Sequence, residues 1–144
     1  NNVATSWVHA AVQLGFRLRI ACPESLAPHP ELMAWVGREN GKVTVTTDPA
    51  VAVAGAQCVI ADTWVSIGDA DPERRKRLLK PYRVDAALMR QAAPDAVFLH
   101  CLPAYRGNEV TAEVIDGPRS VVFDEAENRL HAQKAILAWC LGAD

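Results

Sequence analysis

The residues best suited to chemistry lie directly after short apolar runs of the sequence. Three polar clusters have this position, and a fourth lies at the start of the first predicted helix. The four clusters are residues 62–68, 100–103, 124–129 and 1–2. If the apolar runs are parallel strands, their carboxyl ends meet at one edge of a sheet, where ligands of open α/β sheets bind. Four clusters that carry cysteine, histidine, aspartate, asparagine and arginine favour a site over separate solvated loops.

The charged and hydroxyl side chains of these clusters are suited to an amphoteric ligand. Asp62 can hold an ammonium group, or it can cap a helix instead. Arg129 can hold a carboxylate or a phosphate with its two-pronged guanidinium, or it can form a surface ion pair. Ser66, placed ahead of Gly68, can donate a hydrogen bond to a ligand, or it can simply make a turn.

The segment His100-Cys101-Leu102-Pro103 offers a different chemistry. Cys101 can act as a thiolate if a cation lowers its pKa, and otherwise it is a buried thiol. His100 can donate a hydrogen bond to an oxyanion, or it can be a satisfied histidine at a strand end. Pro103 can close a cis peptide bond, although trans is the default for a proline known only from sequence.

Predicted strands and helices alternate along the chain. The pattern predicts an α/β fold: a doubly wound, mostly parallel sheet with helices on both faces, in three layers α/β/α. Asn2 is predicted to cap a helix over residues 3–15, and further helices are predicted over residues 85–93 and from about 128 to 141. The predicted strands are residues 18–22, 43–46, 57–61, 96–99 and 120–123. No linker or repeat interrupts the pattern, so residues 1–144 are predicted to form one domain.

Composition limits the possible partners. Half of the 144 residues are hydrophobic, which is enough for one real core. The net charge of −2 gives no electrostatic reason to expect nucleic acid or a membrane surface. The four cysteines form no C-x-x-C pair, and we expect Cys22 and Cys58 to be buried free thiols of a cytoplasmic protein.

Several familiar catalytic motifs are absent from the sequence. There is no G-x-G-x-x-G after a strand, no P-loop and no G-x-S-x-G. The four histidines and four cysteines lack zinc-ligand spacing, so no metal site is predicted. The residues alone therefore predict a small amphoteric ligand at the sheet edge, with group transfer possible.

The order of four motifs extends this interpretation. They are Asn1-Asn2-Val3, Asp62-x-x-x-Ser66-Ile67-Gly68, His100-Cys101-Leu102-Pro103 and Glu127-Asn128-Arg129. In this order they resemble the aspartate/ornithine carbamoyltransferase family, on its ornithine side, over nearly the whole chain. The His-Cys-Leu-Pro segment is the most specific part of the resemblance. Ile67 departs from the methionine that the family has in this loop.

The resemblance implies a role for each matching residue. Asn2, Asp62, Ser66 and Ile67 would bind L-ornithine, with Asp62 on its α-ammonium, and Gly68 would lie on the loop that closes over the substrate. Cys101, Leu102 and Arg129 would lie by carbamoyl phosphate, with Leu102-Pro103 in the cis form. The candidate catalytic residues are Cys101, Asp62 and Arg129, whereas His100 and Pro103 belong to the motif without an assigned role.

The implied reaction is carbamoyl transfer from carbamoyl phosphate to the δ-amine of L-ornithine. It would give L-citrulline and phosphate, as in arginine biosynthesis or the urea cycle, without a metal or an organic cofactor. The motifs of the carbamoyl-phosphate-binding domain are absent from this chain. We therefore expect it to be the ornithine-binding half of a homotrimeric enzyme, to be inactive alone, and to pack its last helix on the other domain.

Three further interpretations remain open from the sequence. One is a carbamoyltransferase for another amine, such as putrescine or an acylated ornithine. The second is a non-catalytic ornithine-binding module, and the third is a doubly wound domain with an unrelated function.

Overall fold

Short parallel strands alternate with helices in this protein, for which a computed structural model describes residues 2–65 and 70–142. The strands are β1 (Leu18–Ala21), β2 (Val43–Thr46), β3 (Cys58–Ala61) and β4 (Val97–His100). The helices are α1 (Asn2–Leu14), α2 (Pro30–Arg38), α3 (Pro49–Val53), α4 (Pro72–Leu79), α5 (Ala86–Met89), α6 (Ala112–Ile115) and α7 (Val122–Cys140). The predicted α/β class is confirmed.

The strands form two parallel pairs, each with its own core. β1 pairs with β2, and β3 pairs with β4 in a register that ends at Ala61 opposite His100. Phe98 and Met89 lie at the centre of the core under β3 and β4, whereas Val8 and Val36 fill the core under β1 and β2. A cleft of about 1340 Å³ separates the two halves and is lined by residues of both β1 and β3.

The helix boundaries follow local chemistry. The side chains of Asp48, Asp71 and Asp85 each accept a hydrogen bond from a backbone N–H in the first turn of α3, α4 and α5. These caps satisfy donors that have no partner inside a helix. Helix α5 ends four residues earlier than predicted, because the backbone of residues 91–93 bonds to residues 55–56 instead of continuing the helix.

The predicted strand over residues 120–123 is wrong. Only Ser120 forms a strand-like bridge, with Phe98 of β4, and α7 begins at Val122 rather than near residue 128. An apolar run of this length suits the buried start of a helix as well as a strand. Asp124 and Glu125 then favour the helix, because carboxylates in the first turn complement its positive end.

Three smaller predictions also need correction. Asn2 is the first residue of α1 rather than its cap, and its Oδ1 accepts a hydrogen bond from the neighbouring Val3 N–H at 2.9 Å. Cys58 is exposed and Cys22 is half-buried, so neither is the fully buried thiol expected from its apolar surroundings. Both residues line the cleft between the two halves. The apolar character of these sequence runs therefore did not predict which of their residues line the cleft.

Helix α7 has a large exposed apolar surface. Trp139 is 82% exposed, and other large apolar side chains of this helix are also exposed, namely Phe123, Leu130, Ile136 and Leu137. Only Val122 of this helix is buried. Across the two described ranges, no helix is both long and apolar enough to cross a membrane.

Candidate active site

The pairing of β3 with β4 brings Asp62 and Cys101 together. The register places Ala61 opposite His100, so the next residue of each segment leaves the sheet at the same edge. The Cys101 thiol donates a hydrogen bond to Asp62 Oδ1, with 3.1 Å between sulfur and oxygen. The same oxygen accepts a hydrogen bond from the Thr63 backbone N–H at 2.8 Å. The predicted meeting of these two clusters at one edge is thus seen directly.

The surroundings of Cys101 keep its thiol protonated. Burial, followed by the hydrogen bond to Asp62 and the negative charges of Asp62 and Glu125, raises its pKa from 9.0 to about 12. No cation among the causes opposes this shift, so the thiolate considered from the sequence is not favoured here. At neutral pH Cys101 is a hydrogen-bond donor to a carboxylate.

His100 is the last residue of β4 and is completely buried. Its Nδ1 accepts a hydrogen bond from the Leu102 backbone N–H at 2.9 Å, which places the proton of a neutral imidazole on Nε2. Nε2 faces Glu109 Oε1 at 3.3 Å, although the geometry is not that of an aligned hydrogen bond. His100 therefore shapes the turn that follows it and does not itself point into the open cleft.

Glu109 is a residue that the sequence analysis missed. It is 1% exposed, and its Oε1 accepts a hydrogen bond from the Tyr105 backbone N–H at 2.6 Å. The sequence offers one weak signal, an acidic residue directly before the apolar Val110 in a loop. Only the fold reveals that this carboxylate lies under the turn that carries Cys101.

The Leu102–Pro103 peptide bond is cis, as the resemblance implies, and Leu102 has a φ of 53°. A positive φ is uncommon for leucine and needs support from its surroundings. That support includes the bond from the Leu102 N–H to His100. A second bond runs from Thr63 Oγ1 to the Pro103 carbonyl oxygen at 2.9 Å.

Helix α7 contributes Glu125 to the same region and carries Arg129 one turn further along. Glu125 Oε2 accepts a hydrogen bond from the His100 backbone N–H at 2.9 Å, which attaches the helix to the end of β4. Arg129 is exposed and lies four residues further, so it shares the helix face of Glu125. Arg129 therefore lies one helical turn beyond the residue that contacts β4.

The cleft links the start of α1 to Asp62. Val3 and Ala4 of α1 line it together with Asp62 and Thr63, and the exposed Asn2 lies at this end of α1. The predicted ligand residues Ser66, Ile67 and Gly68 lie outside the described residues. In the described ranges, no three His, Cys, Asp or Glu side chains are gathered closely enough to hold a metal ion.

The fold and the site define a parallel α/β domain with a carboxylate-bound thiol at the sheet edge and an arginine on an adjacent helix. Residues 1–140 match the family described as "Aspartate/ornithine carbamoyltransferase, Asp/Orn binding domain". The chain therefore belongs to the aspartate/ornithine carbamoyltransferase family.

Individual relatives agree with this assignment. The chain is 61% identical over 143 residues to the ornithine carbamoyltransferase of Nitrobacter winogradskyi and 62% identical over 143 residues to one from Rhodopseudomonas palustris. Each match covers 99% of this chain and 46% of the relative, so the chain spans about half the length of these proteins. The solved structure of the ornithine carbamoyltransferase from Pyrococcus furiosus is 43% identical, with a TM-score of 0.86, over 94% of this chain and 45% of that one.

Proposed function

We propose that this chain is the ornithine-binding half of an enzyme that transfers a carbamoyl group from carbamoyl phosphate to the δ-amine of L-ornithine. The observation that carries the proposal is the 3.1 Å contact between Cys101 Sγ and Asp62 Oδ1 at the carboxyl ends of β3 and β4. This contact joins the two motifs on which the family resemblance mainly rests. The products would be L-citrulline and phosphate.

Asp62 suits the α-ammonium of ornithine. A carboxylate has about four lone-pair positions, so Asp62 can accept from an ammonium in addition to the Cys101 thiol and the Thr63 N–H. Asn2 would contact the amino-acid end of ornithine from the start of α1. Ser66 and Ile67, which lie outside the described residues, complete the proposed ornithine set.

The carbamoyl side of the site lies on the turn after β4. Cys101 and Leu102 would lie beside the carbamoyl group, and Arg129 would hold the phosphate of carbamoyl phosphate. The neutral δ-amine attacks the carbonyl carbon, a C–N bond forms, the C–O bond to phosphate breaks, and the amine loses a proton. Positioning of the two substrates and stabilisation of the developing charge supply the rate. No metal or organic cofactor takes part in the proposed reaction.

The exposed apolar face of α7 supports the proposal that another domain covers this helix. Its large side chains, from Phe123 to Trp139, are far more exposed than those of a helix that covers its own sheet. We propose that this face packs on a carbamoyl-phosphate-binding domain of the same enzyme, and that three such subunits assemble. The cytoplasmic location stays a prediction.

The experiment is an assay of citrulline and phosphate formation by the protein carrying this chain, at its full encoded length. We expect activity with ornithine to exceed that with putrescine or N-acetylornithine, because Asp62 suits a free α-ammonium. Asp62→Asn should lose at least about tenfold in kcat/KM for ornithine. Asp95→Asn, at an exposed turn position outside the four motifs, is the matched control for a carboxylate-to-amide change.

The 144-residue chain by itself should bind ornithine and form no citrulline. Citrulline production by the chain alone would contradict the division of labour between two domains. Ornithine binding without any transfer by the full-length protein would instead favour a non-catalytic ornithine-binding module. Faster turnover of putrescine or N-acetylornithine would favour the carbamoyltransferase for another amine.

A further inference from the structure

The segment that follows β3 is tied to its neighbours at three successive residues. Asp62 accepts the hydrogen bond from Cys101, and Thr63 donates its hydroxyl to the Pro103 carbonyl at 2.9 Å. The Trp64 carbonyl accepts a hydrogen bond from Arg75 of α4. The segment is thus held between α4 and the turn after β4.

These bonds begin where the sheet stops holding the two segments together. The β3–β4 ladder ends at Ala61 and His100, so beyond this pair the backbone bonds of the ladder no longer fix their separation. Side-chain bonds take over that role at Asp62 and Thr63. The Thr63–Pro103 bond joins residues that are 40 positions apart in sequence.

Thr63 acts on both sides of the candidate site. Its backbone N–H donates to Asp62 Oδ1 at 2.8 Å, which orients the carboxylate. Its side-chain hydroxyl holds the carbonyl of Pro103, two residues after Cys101. A single residue therefore fixes the carboxylate and, through a separate bond, the turn that carries the thiol.

We propose that Thr63 is a positioning residue whose hydroxyl holds the turn of residues 101–103 against Asp62, so that the Cys101 thiol and the Asp62 carboxylate stay in contact. This positioning rests on the geometry alone. Its consequence for catalysis rests on the proposed function, because the contact lies between the ornithine side and the carbamoyl side of the site.

The proposed role is separable from a role in global stability. Pro103 is exposed, so water can replace the Thr63 hydroxyl as the donor to its carbonyl. Valine has nearly the shape of threonine without the hydroxyl. Thr63→Val should therefore loosen the turn while the melting temperature changes by no more than about 4 °C.

The test compares variants of the protein carrying this chain, at its full encoded length. Thr63→Val and Thr63→Ala both remove the hydroxyl, so the failure of one variant to fold does not remove the test. Thr63→Ser keeps the hydroxyl and should restore the contact. Thr111→Val is the matched control, because the Thr111 hydroxyl is buried without a hydrogen-bond partner among the described residues.

The first readout is the alkylation rate of Cys101 as a function of pH, followed by mass spectrometry of its peptide. Loss of the contact with Asp62 should speed alkylation of Cys101 at pH 9 by about tenfold in Thr63→Val, the change that one pKa unit represents. Thr63→Ser and Thr111→Val should stay within about twofold of the parent protein. A purely structural role would not produce this selective change at one thiol.

The second readout is steady-state kinetics of citrulline formation. We expect kcat of Thr63→Val to fall by about tenfold, with a much smaller change in KM for ornithine, because misplacement of reacting groups lowers the rate of the chemical step. Thr63→Ser should recover most of kcat.

Two results would overturn the proposal. One is an unchanged alkylation rate of Cys101 in both variants that lack the hydroxyl, and the other is failure of Thr63→Ser to restore the parent rate. If the parent protein forms no citrulline, the proposed function fails. The alkylation readout still decides the role of Thr63, since it needs no turnover.

Discussion

His100 and Glu109 face one another inside the protein, with 3.3 Å between Nε2 and Oε1 and no more than 1% of either residue exposed. Each residue also fixes the backbone of the turn between them. His100 Nδ1 accepts from the Leu102 N–H, and Glu109 Oε1 accepts from the Tyr105 N–H. The two buried side chains therefore support the backbone of the turn that carries Cys101.

Glu109→Ala should destabilise the protein strongly. The change opens a cavity, leaves the Tyr105 N–H without its acceptor and removes the carboxylate that faces His100. We expect the free energy of unfolding to fall by about 3 kcal/mol. Glu109→Gln keeps the volume and an acceptor oxygen, so it should cost about 1 kcal/mol. Urea unfolding of the 144-residue chain measures both values, and equal losses in the two variants would contradict this account.

Asp62→Asn should make Cys101 more reactive. Burial is the main cause of its raised pKa, and the hydrogen bond and charge of Asp62 come next. Removing the charge lowers the pKa from about 12, while burial keeps it above the ordinary value of 9.0. Alkylation of Cys101 at pH 9 should therefore be faster in Asp62→Asn, because the thiolate is the reactive form.

Asp124→Asn is the matched control for that experiment. Asp124 is exposed in the first turn of α7 and does not contribute to the raised pKa of Cys101. The alkylation of Cys101 in Asp124→Asn should show the same pH dependence as in the parent protein. Slower or unchanged alkylation in Asp62→Asn would show that the aspartate does not hold the thiol in its protonated form.

Glu125→Ala should loosen α7 at its contact with β4. The change removes the acceptor of the His100 backbone N–H, and the expected loss is about 1–2 kcal/mol in the free energy of unfolding. Glu127→Ala is the control on the same helix. Glu127 is exposed and its carboxylate lies 3.8 Å from His131 Nε2 on the same helix, so the change should stay within about 0.5 kcal/mol. Equal effects in urea unfolding would mean that the Glu125 bond does not attach the helix.

Leu137→Asp should distinguish the isolated chain from the full-length protein. Leu137 is 62% exposed on α7, so in the 144-residue chain the melting temperature should change little. If this face packs on another domain, the same change buries a charge there and should lower the melting temperature of the full-length protein by several degrees. Lys134→Ala, on an exposed position of the same helix, should have little effect in either form. No difference between the two forms would contradict a packed α7.

The position of Asp62 and Cys101 at one edge of the sheet could be predicted from the order of strands and polar residues, whereas the pairing of β3 with β4 that brings them into contact came from the structure. Parallel strands end at one edge, so polar residues directly after two neighbouring strands must lie close together. For the apolar run at residues 120–123, no comparable rule decides between a strand and a helix. Its three consecutive apolar residues fit a strand and a buried helix start equally, and in the structure Ser120 forms a strand-like bridge with Phe98 before α7 begins at Val122.

The residues that hold the site in place could not be predicted from the sequence. Glu109 lies in a loop without periodicity, and its burial depends on how that loop folds under β4. Thr63 bonds to a carbonyl 40 residues away, and no spacing within either segment indicates that pair. Sequence order identifies the residues at strand ends, whereas the bonds that hold them depend on the three-dimensional path of the loops.

The pH dependence of turnover should identify the group that loses the proton. In the proposed reaction the attacking δ-amine of ornithine must be neutral, and an alkyl amine of this kind has a pKa of about 10. We therefore expect kcat/KM for ornithine to rise with pH between about 6 and 9. The Cys101 thiol, with its pKa raised to about 12, does not titrate in that range. Cys101→Ser should consequently lower kcat/KM while it keeps the rising limb. A flat profile in the parent protein would contradict attack by the neutral amine, and loss of the rising limb only in Cys101→Ser would assign the titration to the thiol instead.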